Sequence, residues 1–97
     1  MPRKHMEFES VKDLNDREIQ FLMREIDLDD LVIAMSGASG ETRERIYANM
    51  GDRARSMLDE EIGYMGDVPQ AESEAAHLRI ARLMLQLMAE GMITTRT

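Results

Sequence analysis

Arg53 and Glu60 are the first pair whose types and spacing suggest chemistry: a cation and an anion seven positions apart. At about 100° per residue, a helix places both on one flank, with Ser56 between them, as a ridge of opposite charges. From spacing alone, a solvated face with a weak intrahelical pair takes precedence over a docking ridge. Glu61 is less ordinary. It projects into the apolar arc formed by Ala54, Met57, Leu58, Ile62 and Met65, where an unpaired buried carboxylate would be costly. Three explanations stay open: the helix bends, an arginine compensates, or the arc is only partly buried at that point.

Catalytic patterns are absent from the rest of the chain. Glu60 and Glu61 are adjacent, so on a helix they point about 100° apart and cannot act as a dyad. Of the two histidines, His5 falls in an expected tail, and His77 stands alone on a long helix, where packing or surface is the ordinary role. Gly37-Ala38-Ser39-Gly40 superficially matches a nucleic-acid-binding GXXG loop, but that loop needs strands and basic surroundings; here it reads as a helix-to-helix turn. Without cysteine there is no disulfide, thiolate metal site or cysteine nucleophile, which fits a reducing compartment. No enzyme activity, metal site or cofactor is expected.

The elements that must carry these residues all read as helices. Asn15 with Glu18 three positions on approximates a capping box, followed by the stripe Ile19, Leu22, Met23 and Ile26. Asp27 caps the next helix, with Leu28, Leu31, Val32 and Met35 on one face, and Gly37 stops it. Ser39 is the expected cap of a third helix carrying Ile46, Tyr47 and Met50. Gly51 and Asp52 reset the chain for the helix that bears the ridge, which Gly66, Asp67 and Pro69 break. The last helix runs from about Ala71 to Glu90, with Ala76, Ile80, Leu83, Met84 and Leu87 as its stripe. Leu85 and Met88 widen that stripe, which points to burial within a bundle or at an interface. Val11–Leu14 add a short turn near the start, and no period-2 run competes. The fold class is therefore all-α, with five or six helices and a long one last.

The chain has 97 residues, enough for one domain, and ten methionines supply much of its apolar volume. Core filling is the favoured role for Met84 and Met88, ahead of an adaptable partner surface. The net charge of −7 argues against non-specific nucleic-acid binding and anionic membranes. Residues 7–30 hold nine acids against three bases, and residues 51–76 hold seven against two. No apolar run approaches the roughly 18–20 residues that span a bilayer, so membrane insertion is not expected. Residues 1–7 and 94–97 read as tails around a helical domain at 8–93.

In order, the motifs resemble the C-terminal domain of the flagellar motor switch protein FliG. Asn15-Asp16-Arg17-Glu18-Ile19-Gln20 is similar to that family's Asp-Asp-Arg-x-Ile-Gln, and Arg24-Glu25-Ile26-Asp27 to its Arg-Glu-Val-Asp. Gly37-Ala38-Ser39, Arg43-Glu44-Arg45-Ile46, Asn49-Met50-x-x-Arg53-Ala54, Tyr64-Met65-Gly66-x-Val68 and Glu90-Gly91-x-Ile93 follow in the family's order. The resemblance implies a compact bundle of about six helices in a cytoplasmic rotor ring at the flagellar basal body, peripheral to the inner membrane. It implies a partner-binding charged ridge at Arg53, Glu60 and Glu61 facing the cytoplasmic loop of a MotA-type stator protein. Torque, directional switching and contacts with other switch-ring proteins would follow.

Several family positions depart from that pattern. The ridge lysine is Ser36, the second ridge arginine is Pro69, and a basic residue before the acid pair is Asp59. The hinge motif Met-Phe-x-Phe is reduced to His5-Met6-Glu7-Phe8. The ridge is thus more acidic than the family's, which keeps a second reading alongside the first. In that reading the domain is a stand-alone paralogue serving assembly or as an adaptor, with a decayed stator interface. Self-association through Leu85 and Met88 also stays open.

Overall fold

The computed structural model describes residues 6–94, which run through six helices and no strand. A 3-10 helix over Phe8–Asp13 leads into α1 (Asp16–Glu25), α2 (Leu28–Ser36), α3 (Gly40–Ala48), α4 (Asp52–Met65) and α5 (Gln70–Ala89). The expected all-helical bundle with a long last helix is the one observed.

Short polar side chains start these helices because the first backbone amides have no partner within the helix. Asn15 Oδ1 accepts from the Glu18 amide at 2.8 Å, and Glu18 Oε1 accepts from the Asn15 amide at 2.9 Å, closing the expected box. Asp27 accepts from the Asp29 amide at 2.8 Å, and Ser39 from the Thr42 amide at 3.2 Å. Gly66 ends α4 with φ +64°, a conformation that side chains with a Cβ rarely adopt. Pro69 is the N-cap of α5, one position ahead of its first helical residue.

The core gathers around α2, which packs on α5 and on α4, while the 3-10 helix packs on α3 and α5. Ile19, Leu22, Met35, Ile46, Leu58, Ile80 and Met84 are among its fully buried side chains. Met84 is core, as expected; Leu83, Leu85 and Met88 are half-buried and packed against it. Phe8 and Val11 bury the 3-10 helix. His77 is held by packing: its ring stacks on Phe8 at 4.3 Å, and Nε2–H donates to the Ala34 carbonyl at 2.8 Å.

The tails expected over 1–7 and 94–97 lie largely outside the described residues, as does His5. Their inner ends belong to the folded body. Met6 is buried in the core, the Glu7 amide donates to Ser10 Oγ at 3.1 Å, and Thr94 is bonded to Glu18.

Candidate functional site

The ridge residues stand on a helix that the core holds by a narrow strip. On α4 only Leu58 is fully buried and Ile62 half-buried, whereas Ala54, Met57 and Met65 are exposed. This settles the puzzle of Glu61. The apolar arc is only partly buried, Glu61 lies in its exposed part, and no desolvation penalty arises.

Arg53, Glu60 and Glu61 are all exposed, and none of their side chains makes a hydrogen bond or ion pair with another described residue. The weak intrahelical pair that spacing allowed is not formed. Arg53 and Glu60 instead present their charges separately to solvent.

Beyond the packing of Leu58 and Ile62 on the core, a cluster with α3 also holds α4. The Tyr47 hydroxyl donates to Asp59 Oδ1 at 2.6 Å, and the Arg55 guanidinium lies 4.7 Å from the centre of the same ring. Burial pushes the Tyr47 phenol up, and the Asp59 carboxylate beside it adds to the shift. Asp59 therefore points toward α3, while Glu60 and Glu61, the next two residues, face solvent.

The departing positions sit on neighbouring elements. Ser36 closes α2, exposed, its hydroxyl donating to the Ile33 carbonyl at 2.6 Å. Pro69 is exposed at the start of α5. Neither supplies a cation.

Two features escaped sequence reasoning. Met57 and Tyr64 are exposed on the same side of α4 as the ridge; their seven-residue spacing, matching that of Arg53 and Glu60, was the available signal. A surface groove of about 370 Å³ also opens between the 3-10 helix and α5, with Met6, Phe8, Glu9, Glu74, His77 and Leu78 among its lining residues. It includes no ridge residue. Among the described residues no cluster of three His, Asp or Glu is placed to hold a metal ion, and no helix is long and apolar enough to cross a membrane.

Residues 2–94 match the family described as the FliG C-terminal domain. The chain belongs to that family. The flagellar motor switch protein FliG of Thermotoga maritima is 40% identical over 91 residues, covering 94% of this chain and 27% of that protein. FliG of Borreliella burgdorferi is 34% identical over 91 residues, covering 94% and 26%. A crystal structure of FliG residues 86–343 from H. pylori superposes with a TM-score of 0.88 at 25% identity, covering 92% of this chain and 42% of that one. Full-length FliG from Aquifex aeolicus gives 0.84 at 28% identity, covering 89% and 27%. The chain thus spans about a quarter of the length of these curated FliG relatives.

Proposed function

We propose that this domain is a non-enzymatic rotor and switch element of the bacterial flagellar motor. It presents the α4 ridge of Arg53, Glu60 and Glu61 to the cytoplasmic loop of a MotA-type stator protein, within a cytoplasmic ring of other switch proteins. The observation that carries the reading is that three charged side chains at the ridge positions are exposed on one helix with no side-chain partner among the described residues.

A rotor contact must form and break at every step, and such a ridge suits that demand. Exposed ion pairs contribute only about 0.2–1 kcal/mol each, yet complementary fields speed encounter and fix register. Screening over roughly 8 Å at physiological salt restricts the interaction to a partner in close approach. With Ser36 and Pro69 in place of cations, the surface favours a basic partner.

A chimera tests this reading. Residues 6–97 replace the C-terminal domain of a working switch protein, the fusion point chosen so that Met6 keeps its place in the core. Assembled filaments that rotate, and stall when Glu60→Lys and Glu61→Lys are introduced together, support torque transmission. Assembled but paralysed filaments move the assembly or adaptor reading to first place. The missing cations at Ser36 and Pro69 are the observation that favours that second reading.

A further inference from the structure

The side of α4 turned away from the core is not purely ionic. Arg53, Met57, Glu60, Glu61 and Tyr64 fall within about 100° of arc. Met57 and Tyr64 occupy the middle of that arc, with Glu60 on one side and Glu61 on the other. Met57 is 54% exposed and Tyr64 81% exposed. Single exposed apolar side chains such as Leu28, Leu78 and Met92 are ordinary features of a protein surface. Two large ones two turns apart on one helix face, with a carboxylate on either side, are a different matter, because they leave apolar surface within a charged rim.

We propose that Met57 and Tyr64 form an apolar seat within the ridge, and that its occupant is a basic amphipathic helix. A central apolar side chain of that helix packs between Met57 and Tyr64, and flanking Lys or Arg side chains reach Glu60 and Glu61. The inference rests on the reading of α4 as the partner-binding face and adds the partner's chemistry to it. Charge complementarity selects the occupant. On the arc two carboxylates face one guanidinium, and none of the three pairs with another described residue. The two kinds of contact divide the work. Exposed charges steer and align the partner but are screened by salt, whereas apolar contact persists when salt is raised and slows dissociation. A ridge of charges alone would lose its partner steeply with ionic strength, and this one keeps a salt-insensitive part.

The test uses the 97-residue chain, isotope-labelled, and two synthetic helical peptides of about five turns. Both are built from Lys and Ala; one has a central Leu, and its twin has Ser there. The Leu peptide is expected to shift α4 amide resonances and to bind about tenfold more weakly to a Met57→Ala/Tyr64→Ala variant. The Ser twin is expected to bind the native chain and that variant equally, which closes a double-mutant cycle on the apolar contact. Leu78→Ala, an exposed apolar truncation on α5, should change nothing. If the Met57→Ala/Tyr64→Ala variant binds like the native chain while Glu60→Lys/Glu61→Lys weakens binding, the apolar seat is wrong and the charged ridge survives. If neither peptide perturbs α4, both fall. If α4 resonances move with the chain's own concentration before peptide is added, the face belongs to a second copy, and the basic-helix assignment is overturned.

Discussion

Thr94 is fastened to Glu18 across 76 positions of sequence: its amide at 2.8 Å and its hydroxyl at 2.9 Å both donate to Glu18 Oε2. The other oxygen of the same carboxylate receives the Asn15 amide at 2.9 Å. One buried side chain therefore caps the start of α1 and clasps the chain just after Ile93, which fills the core. Hydrogen bonds to a charged group are worth about 1.5–3 kcal/mol. Glu18→Ala is expected to lose about 2–3 kcal/mol in urea denaturation, and Thr94→Val about 1 kcal/mol. Glu18→Gln, which keeps one acceptor oxygen, should fall between native and Glu18→Ala. A Glu18→Ala midpoint equal to the native one would remove the clasp from the account of stability.

Glu9 makes the fold sensitive to acid. Its carboxylate receives the Ser39 hydroxyl at 2.6 Å, the Ser39 amide at 3.0 Å and the Thr42 hydroxyl at 2.8 Å, tying the 3-10 helix to the N-terminus of α3. Burial alone would raise its pKa, but these hydrogen bonds and the nearby Lys12 charge outweigh burial and hold it below the ordinary value of 4.5. A carboxyl group with a depressed folded-state pKa stabilises the fold above the unfolded pKa and loses that contribution as pH falls through the folded one. Stability should therefore decline from about pH 5 downward, and Glu9→Gln should flatten the decline. It should not abolish it. Asp16, lowered by hydrogen bonds from Asn49 and Arg45, acts in the same direction. An identical acid-unfolding slope in Glu9→Gln would sink this assignment.

Local chemistry made the helix starts legible. Asn15 with Glu18, Asp27 and Ser39 are caps whose partners lie two or three residues away, and each forms as the spacing implies. The helix over Asp52–Met65 was legible too, and with it the shared flank of Arg53 and Glu60, because seven-residue spacing is a property of the helix itself. Contacts that close over long separations were not. Nothing local to Glu9 announces Ser39, thirty positions on, and nothing near Glu18 announces Thr94. Glu61 looked anomalous because a helical wheel shows which residues share a face but not how deeply the face is buried. That depth depends on the packing of α4 against α2. The wheel likewise grouped Met57 with the core, where the structure leaves it exposed.

The close passage of α2 against α5 at Gly37 offers a second stability test. A Cβ at Gly37 would stand 3.0 Å from Ser73 Oγ and 3.2 Å from His77 Cε1. Both side chains are committed, Ser73 to the Gln70 carbonyl and His77 to the Ala34 carbonyl and the Phe8 ring. Gly37→Ala is expected to cost about 1–2 kcal/mol through crowding, although the backbone there suits any residue. Ser73→Ala removes the nearer atom, so the double variant should recover part of the loss. Thermal unfolding of the two single variants and the double reads this directly. Strict additivity would mean that the crowding lies elsewhere.

The bond between Tyr47 and Asp59 tests how α4 is held in place. With Leu58 as its one fully buried side chain, α4 has little apolar anchorage, so the 2.6 Å bond and the Arg55 stacking carry an unusual share of its attachment to α3. Tyr47→Phe keeps the ring and the stacking but removes the donor, a loss of about 1 kcal/mol at a half-exposed site. If α4 opens as a unit, its amides should exchange with solvent about fivefold faster, while those of α2 and α5 are unchanged. Asp59→Asn retains an acceptor oxygen and should loosen α4 less. It should also bring the Tyr47 phenol down toward its ordinary value of 10.0, because the carboxylate charge that adds to the effect of burial is gone. Faster exchange in every helix at once would mean that the bond supports the whole fold. Native exchange rates on α4 would mean that Leu58 and Ile62 suffice. The expected pattern lies between those two, in a ridge helix that can loosen while the core behind it stays closed.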